Sequence, residues 1–148
     1  MNKKRTTWLY VIAVLLILFG LIQLIPYGRN HANPPVVSSP VWNSTQTADV
    51  IKATCMDCHS NETVWPWYSN VAPVSWLIQR DVDEGRVRFN MSEWPANPNA
   101  QSGLVGEMVR VIQEGRMPPI QYTLIHANAR LSATQQQTLI QGLQASYP

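Results

Sequence analysis

Apolar residues are spread along this chain in two different ways. From Trp8 to Ile25 the sequence carries no charge and is apolar except at Tyr10, Gly20 and Gln23. These 18 residues would rise about 27 Å as a helix, against about 30 Å of bilayer hydrocarbon, and predict one transmembrane helix. Beyond Ile25 apolar positions recur at helical spacing between polar loops. Thr47 to Cys55 predicts a short helix with Thr47 as N-cap and Asp49 in its first turn. Pro73 opens a second over Val74–Glu84, closed by Gly85, with Val74, Leu77, Ile78 and Val82 as its apolar stripe. Leu104, Val105, Met108, Val109 and Ile112 predict a third over Gly103–Glu114, with Gly115 at C′. A fourth follows Ser132, whose hydroxyl caps it while Gln135 completes a capping box; Leu139, Ile140 and Leu143 make its buried face. No strand alternation of useful length and no internal repeat is present. The expected fold is all-α, helices with long loops, preceded by the N-terminal transmembrane helix.

Between these elements lie two unusual stretches. Pro26 to Gln46 is rich in Pro, Asn and Ser and does not favour helix. A free tether is the default for such a segment, yet Val36, Val37, Val41 and Trp42 suit an extended strap along a domain surface. The loop after residue 59 holds Trp65, Trp67 and Tyr68, more ring area than exposed loops carry. The chain thus divides into a basic leader (1–7), a transmembrane signal anchor (8–25), a Pro-rich linker or strap (26–46) and a helical domain (47–148).

Charge orients the anchor. Lys3, Lys4 and Arg5 precede it, so the N-terminus is expected in the cytoplasm and everything after Ile25 on the far side. A cleaved signal peptide is the competing reading, but the apolar run is longer than the usual h-region and Asn30-His31-Ala32 is a poor cleavage site. The net charge of +2 comes from the leader; the remainder has 8 basic against 9 acidic residues. With its Lys and Arg scattered, it offers no basic face for nucleic acid.

The chemistry concentrates at Cys55-Met56-Asp57-Cys58-His59, which holds both cysteines. C-x-x-C-H is the attachment signal for a c-type haem. Thiols three residues apart share a face of a helical turn, so both can form thioethers with the vinyl groups on one porphyrin edge, and His59 on that face can ligate the iron. A dithiol redox centre expects a βαβ context and has no use for the histidine. A structural zinc needs a second ligand pair, which is missing. A disulfide across so short a loop would constrain the unfolded chain little.

A second axial ligand is sought downstream. Met117, in the Pro-stiffened stretch Glu114-Gly115-Arg116-Met117-Pro118-Pro119, is the leading candidate, since a thioether favours ferrous iron and raises the potential. Met91 and His126 are the alternatives, the latter giving a bis-His iron. Trp65, Trp67 and Trp76 are expected on or near the ring. Arg116 and Arg130 are candidates for the haem propionates, because guanidinium forks match carboxylates.

With these residues in view, the chain resembles the bacterial haem-binding domain family of membrane-anchored or exported cytochrome c-like domains. The resemblance runs from Asn33-Pro34-Pro35-Val36 through Cys55–Thr63, Trp65–Ser69, Ala72–Leu77, Gly85-Arg86, Asn90–Trp94 and Met117-Pro118-Pro119 to His126–Ser132. It implies one covalent haem c on Cys55, Cys58 and His59 in a cytochrome c-like helical domain, held at a bacterial inner membrane with that domain in the periplasm. Met91 stands where the family more usually has Phe. The function expected first is single-electron transfer with membrane or periplasmic redox proteins, and not enzymatic catalysis. A haem-based sensor with a displaceable distal ligand is the alternative; a peroxidase would need His126 or Glu93 above an open iron.

Overall fold

A computed structural model describes residues 3–148; Met1 and Asn2 of the basic leader lie outside the described residues. Seven α-helices and two 3₁₀ turns make up its regular structure. Among the described residues there is no strand, only an isolated parallel bridge between Ser38 and Glu93. The protein is all-α.

Two compact units interleave along the chain. The first comprises Met1–His31 and Trp65–Asp81. Its helix α1 (Lys3–Ile22) contains a 19-residue stretch, Lys4–Ile22, long and apolar enough to cross a membrane or to serve as a signal sequence. A 3₁₀ turn (Trp67–Asn70) leads into α4 (Val74–Arg88), which begins in this unit and ends in the second.

The second unit comprises Ala32–Val64 and Val82–Pro148. It contains α2 (Thr45–Thr54), the single turn α3 (Met56–His59), α5 (Pro98–Gln113), the short α6 (Ile120–Ile125) and α7 (Ala133–Ser146). Helices α2, α5 and α7 enclose a core of Ile51, Val105, Met108, Val109, Ile112, Leu139, Ile140 and Leu143, joined by Met91 and Trp94 from the loop after α4. Ile51 and Leu143 are fully buried, each contributing about 1.5–3 kcal/mol relative to exposure.

Residues 32–43 are strapped onto this unit by hydrogen bonds. Val37 N and Ser38 N donate to Ser92 O, Ser38 Oγ donates to Trp94 O, and Val41 N and Asn43 N donate to Tyr147 Oη and Ser146 Oγ. Trp42 packs edge-on against Trp94 and Tyr147.

Several helix ends differ from the sequence reading. The cap of α2 is Ser44, whose hydroxyl accepts from Thr47 N; Thr47 is instead buried in the first turn, its hydroxyl donating to Asn43 Oδ1. Helix α5 starts five residues before Gly103, because Asn97 caps it and Pro98 occupies the first turn, where a missing N–H costs nothing. Gly115 lies at C′ with φ +67°, and the Ser132–Gln135 capping box is present. Gly85 does not end α4: the helix runs through it to Arg88.

Candidate haem site

The reason for Gly85 lies in α3. A Cβ on Gly85 would run into the Cys58 carbonyl, so glycine here lets α4 lie directly against the turn that carries Cys58 and His59. Helix α2 ends at Thr54, and Cys55 is both its C-cap and the start of α3, with Cys58 N and His59 N donating to Cys55 O. The two cysteines therefore sit one turn apart on one short helix. Neither is in a disulfide. Burial pushes the Cys55 thiol up to about 11, against the pull of its contact with Thr54 Oγ1 at 3.2 Å. Among the described residues, no cluster of three or more His, Cys, Asp or Glu side chains is placed to hold a metal ion.

His59 is held from the far end of α4. Its side chain is only 7% exposed, its ring stacks on Phe89 with centroids 4.1 Å apart, and its Nδ1 lies 3.3 Å from Phe89 O. With the proton on Nδ1 donated to that carbonyl, Nε2 keeps the lone pair, the arrangement that orients metal-ligating histidines. Burial lowers the pKa of the ring below the usual value and favours the neutral, ligating form. Met91 N donates to His59 O at 2.7 Å.

The residues after His59 are fixed by a polar network. Arg86 donates from Nε to Ser60 O, from Nη1 to Ala32 O, and from Nη2 to both Asn33 Oδ1 and Thr63 Oγ1, at 2.8–3.1 Å. Thr63 Oγ1 in turn donates to Asp57 O at 2.7 Å. Asn61 N donates to Ser92 Oγ, and Asn61 Oδ1 accepts from Asn90 Nδ2. Arg86 thus ties the strap, α4 and the haem motif together, with its five N–H groups spread over four acceptors.

Asp57, inside the motif, reaches the opposite side. Its Oδ1 accepts from Val64 N, and its Oδ2 accepts from the Tyr122 hydroxyl at 2.7 Å. Tyr122 belongs to α6, which begins three residues after Met117 and buries none of its residues. Met117 is 39% exposed, and Ile120, Leu124 and Ile125 are exposed beside it. Burial, then the bond to Asp57, raises the pKa of the Tyr122 hydroxyl.

The other residues singled out in the sequence have these places. Met91 is 2% exposed in the core. His126 stacks on Tyr122, with Nδ1 3.1 Å from Tyr122 O. Arg116 pairs with Glu114, and Arg130 donates to the carbonyls of Thr123 and Leu124. Trp65, Trp67 and Trp76 belong to the first unit, where Trp65 stacks on His31 and Trp67 meets Tyr68 edge-on. Gly85, Arg86, Phe89, Asp57 and Tyr122 were not singled out for the site. A glycine inside the helical stripe between Val82 and Phe89 was the one available signal; nothing local marks Tyr122.

Two thiols and a buried, carbonyl-oriented imidazole on one turn, with Tyr122 of the uncovered helix α6 bonded to Asp57 between the thiols, make a helical domain suited to a porphyrin. The side chains present fit the group: His59 has a nitrogen for iron, and the exposed apolar residues of α6 are surface that a large apolar cofactor can cover. The sequence model of the haem-binding domain family matches residues 17–145, and the chain belongs to that family. Haem is its cofactor. No curated protein and no solved structure matches it.

Proposed function

We propose that the protein is a membrane-anchored monohaem c-type cytochrome, passing single electrons on the extracytoplasmic side of a bacterial inner membrane between redox proteins, without a catalytic reaction of its own. The observation that carries this reading is the α3 turn, where Cys55, Cys58 and His59 are presented together and His59 Nδ1 is engaged by Phe89 O. Cys55 and Cys58 would hold the haem through two thioethers, and His59 Nε2 and the Met117 sulfur would bind its iron. The bond of Tyr122, five residues after Met117, to Asp57 of the motif supports this choice, and Met91, whose backbone N–H is bonded to His59 O, is the less suited sulfur. When bound, the haem would provide a reversible one-electron iron couple, whose potential a thioether ligand would raise. Helix α1 is the anchor, retained in the membrane, and the partners are membrane or periplasmic redox proteins.

The exposure of Met117 favours one second reading, a ligand-sensing module in which the thioether is displaced. Expression with a cytochrome c maturation system, followed by optical spectra of wild type and Met117→Ala with and without carbon monoxide, separates the two. The expected result is haem that resists acid–acetone extraction, a low-spin ferrous wild type that ignores carbon monoxide, and a variant that binds it. Carbon monoxide binding by the wild type supports the sensor; identical behaviour of the two proteins removes Met117 as ligand. Haem lost to extraction overturns covalent attachment.

A further inference from the structure

The first compact unit contains an arrangement that the haem chemistry does not use. Just past the end of α1, the amide of Gln23 is bonded in four directions. Its Nε2 donates to Phe19 O at 3.1 Å and to Ala72 O at 2.9 Å, while its Oε1 accepts from Ala72 N at 3.0 Å and from Arg29 Nη2 at 3.2 Å. The paired bonds to the Ala72 peptide amount to one rung of backbone-like pairing. Two further contacts follow along the chain. Gly28 has φ +80°, and any Cβ there would run into the Ser75 carbonyl, so residues 27–29 lie directly on the first turn of α4. His31 then stacks on Trp65, ring centroids 4.7 Å apart, with Nε2 3.1 Å from Ser69 O.

We propose that Trp65–Asp81 and the end of α1 together form a lipid-interface module, with Trp67 seated among the phospholipid headgroups. This rests on the reading of α1 as a retained membrane anchor. The occupant follows from position and chemistry. Gln23 interrupts an apolar run that continues through Leu24 and Ile25, both exposed, so it sits where hydrocarbon gives way to headgroups. A carboxamide at that depth must have its polar atoms satisfied by protein, and the Ala72 peptide does this. The segment around Ala72 is thereby brought to the boundary. Trp67 precedes Ala72 by five residues, three steps of a 3₁₀ turn rising about 2 Å each and two extended steps of about 3.5 Å, which keeps it within about 13 Å. It is 79% exposed, and Tyr27, Val74 and Leu77 of the same unit are exposed as well. A tryptophan with an apolar ring and a polar N–H is the side chain favoured at membrane–water boundaries. Arg29, bonded to Gln23 at that boundary, suits phosphate.

The test uses the full-length haem-loaded protein in phosphatidylcholine–phosphatidylglycerol vesicles containing a phosphatidylcholine with a diazirine beside its glycerol backbone. After illumination, labelled residues are located by tandem mass spectrometry in wild type and Gln23→Leu. The expected result is lipid label on both α1 and Trp67 in wild type, with the Trp67 label falling at least fivefold in Gln23→Leu while that on α1 persists. Label on α1 without label on Trp67 overturns the proposal, leaves the anchor standing and points to a protein partner for the patch. No label on either removes the anchor reading and the proposal with it. Undiminished Trp67 label in Gln23→Leu overturns the role given to Gln23, and the wild-type pattern remains decisive if that variant does not fold.

Discussion

Around His59 the chain is cross-braced by two segments distant in sequence, the strap and the end of α4, whereas Met117 and the apolar residues of α6 are exposed, with Tyr122 bonded to the motif. On the first side Arg86 holds the strap and the Ser60–Thr63 segment, Phe89 holds the imidazole, and Gly85 allows the backbone of α3 to touch α4. On the second side α6 buries none of its residues. The difference separates what the polypeptide can preform from what it leaves to its cofactor. Polar groups that must orient one imidazole need fixed partners within hydrogen-bond reach, and the backbone supplies them. An exposed apolar surface needs no such partners, and a flat apolar ring laid on it would supply the burial.

If the braced side is as close-packed as the Gly85 contact implies, enlarging that residue should have the largest effect on folding. Gly85→Val is expected to destabilise by about 3 kcal/mol, since the added atoms meet backbone and not the end of a flexible side chain. Urea denaturation measures it, with Gly106→Ala as a control. Nothing lies within 4 Å of a Cβ at Gly106, and that change should raise stability by about 0.5–1 kcal/mol. A Gly85→Val protein as stable as wild type would show that α3 and α4 are not in contact.

Next in size is Arg86→Met, which keeps the stem and removes the fork. Ser60 is fully buried, so its carbonyl loses a charged donor that solvent replaces poorly, and about 2 kcal/mol should be lost. Arg86→Lys should recover little of it, because one ammonium cannot reach four acceptors spread around a planar guanidinium. Full recovery by lysine would reduce Arg86 to a simple charge.

The C-x-x-C-H turn, the apolar N-terminal helix and the apolar faces of α5 and α7 were legible because each is written in local spacing. A thiol pair three residues apart, an uncharged run and a capping box need no knowledge of the rest of the chain. What could not be read is what depends on contacts between distant segments. Gly85 looks like a helix terminator until Cys58 is known to press on it, since a C-terminal cap and a close-approach glycine are the same letter. Thr47 reads as a cap in the absence of Asn43, which turns its hydroxyl away. Arg116 and Arg130 were candidates for the propionates by residue type, and they engage Glu114 and the carbonyls at the end of α6. Arg86, with its fork on the loop after His59, carries no local mark of that role. Helix α6 is six residues long and lacks an apolar core-facing stripe, so no periodicity announces it.

The smallest effect is expected on the exposed side, from Tyr122→Phe. The lost bond to Asp57 joins a hydroxyl to a carboxylate in a half-buried place, and about 1 kcal/mol at pH 7 is a reasonable expectation. Its pH dependence has a definite sign. Burial and the acceptor on Asp57 raise the Tyr122 pKa in the folded protein above the value of about 10 for an unfolded tyrosine. The stabilisation is therefore fully present below pH about 10 and is lost as pH rises beyond it, because the unfolded chain then ionises first. Subtracting the stability of Tyr122→Phe from that of wild type cancels the remaining tyrosines. The difference should stay level from pH 7 to about 9.5 and shrink above about 10, measured by urea denaturation at each pH. A difference that grows with alkaline pH would mean that the ionised phenolate is the form the fold prefers, and the Tyr122 hydroxyl could not then be donating to Asp57.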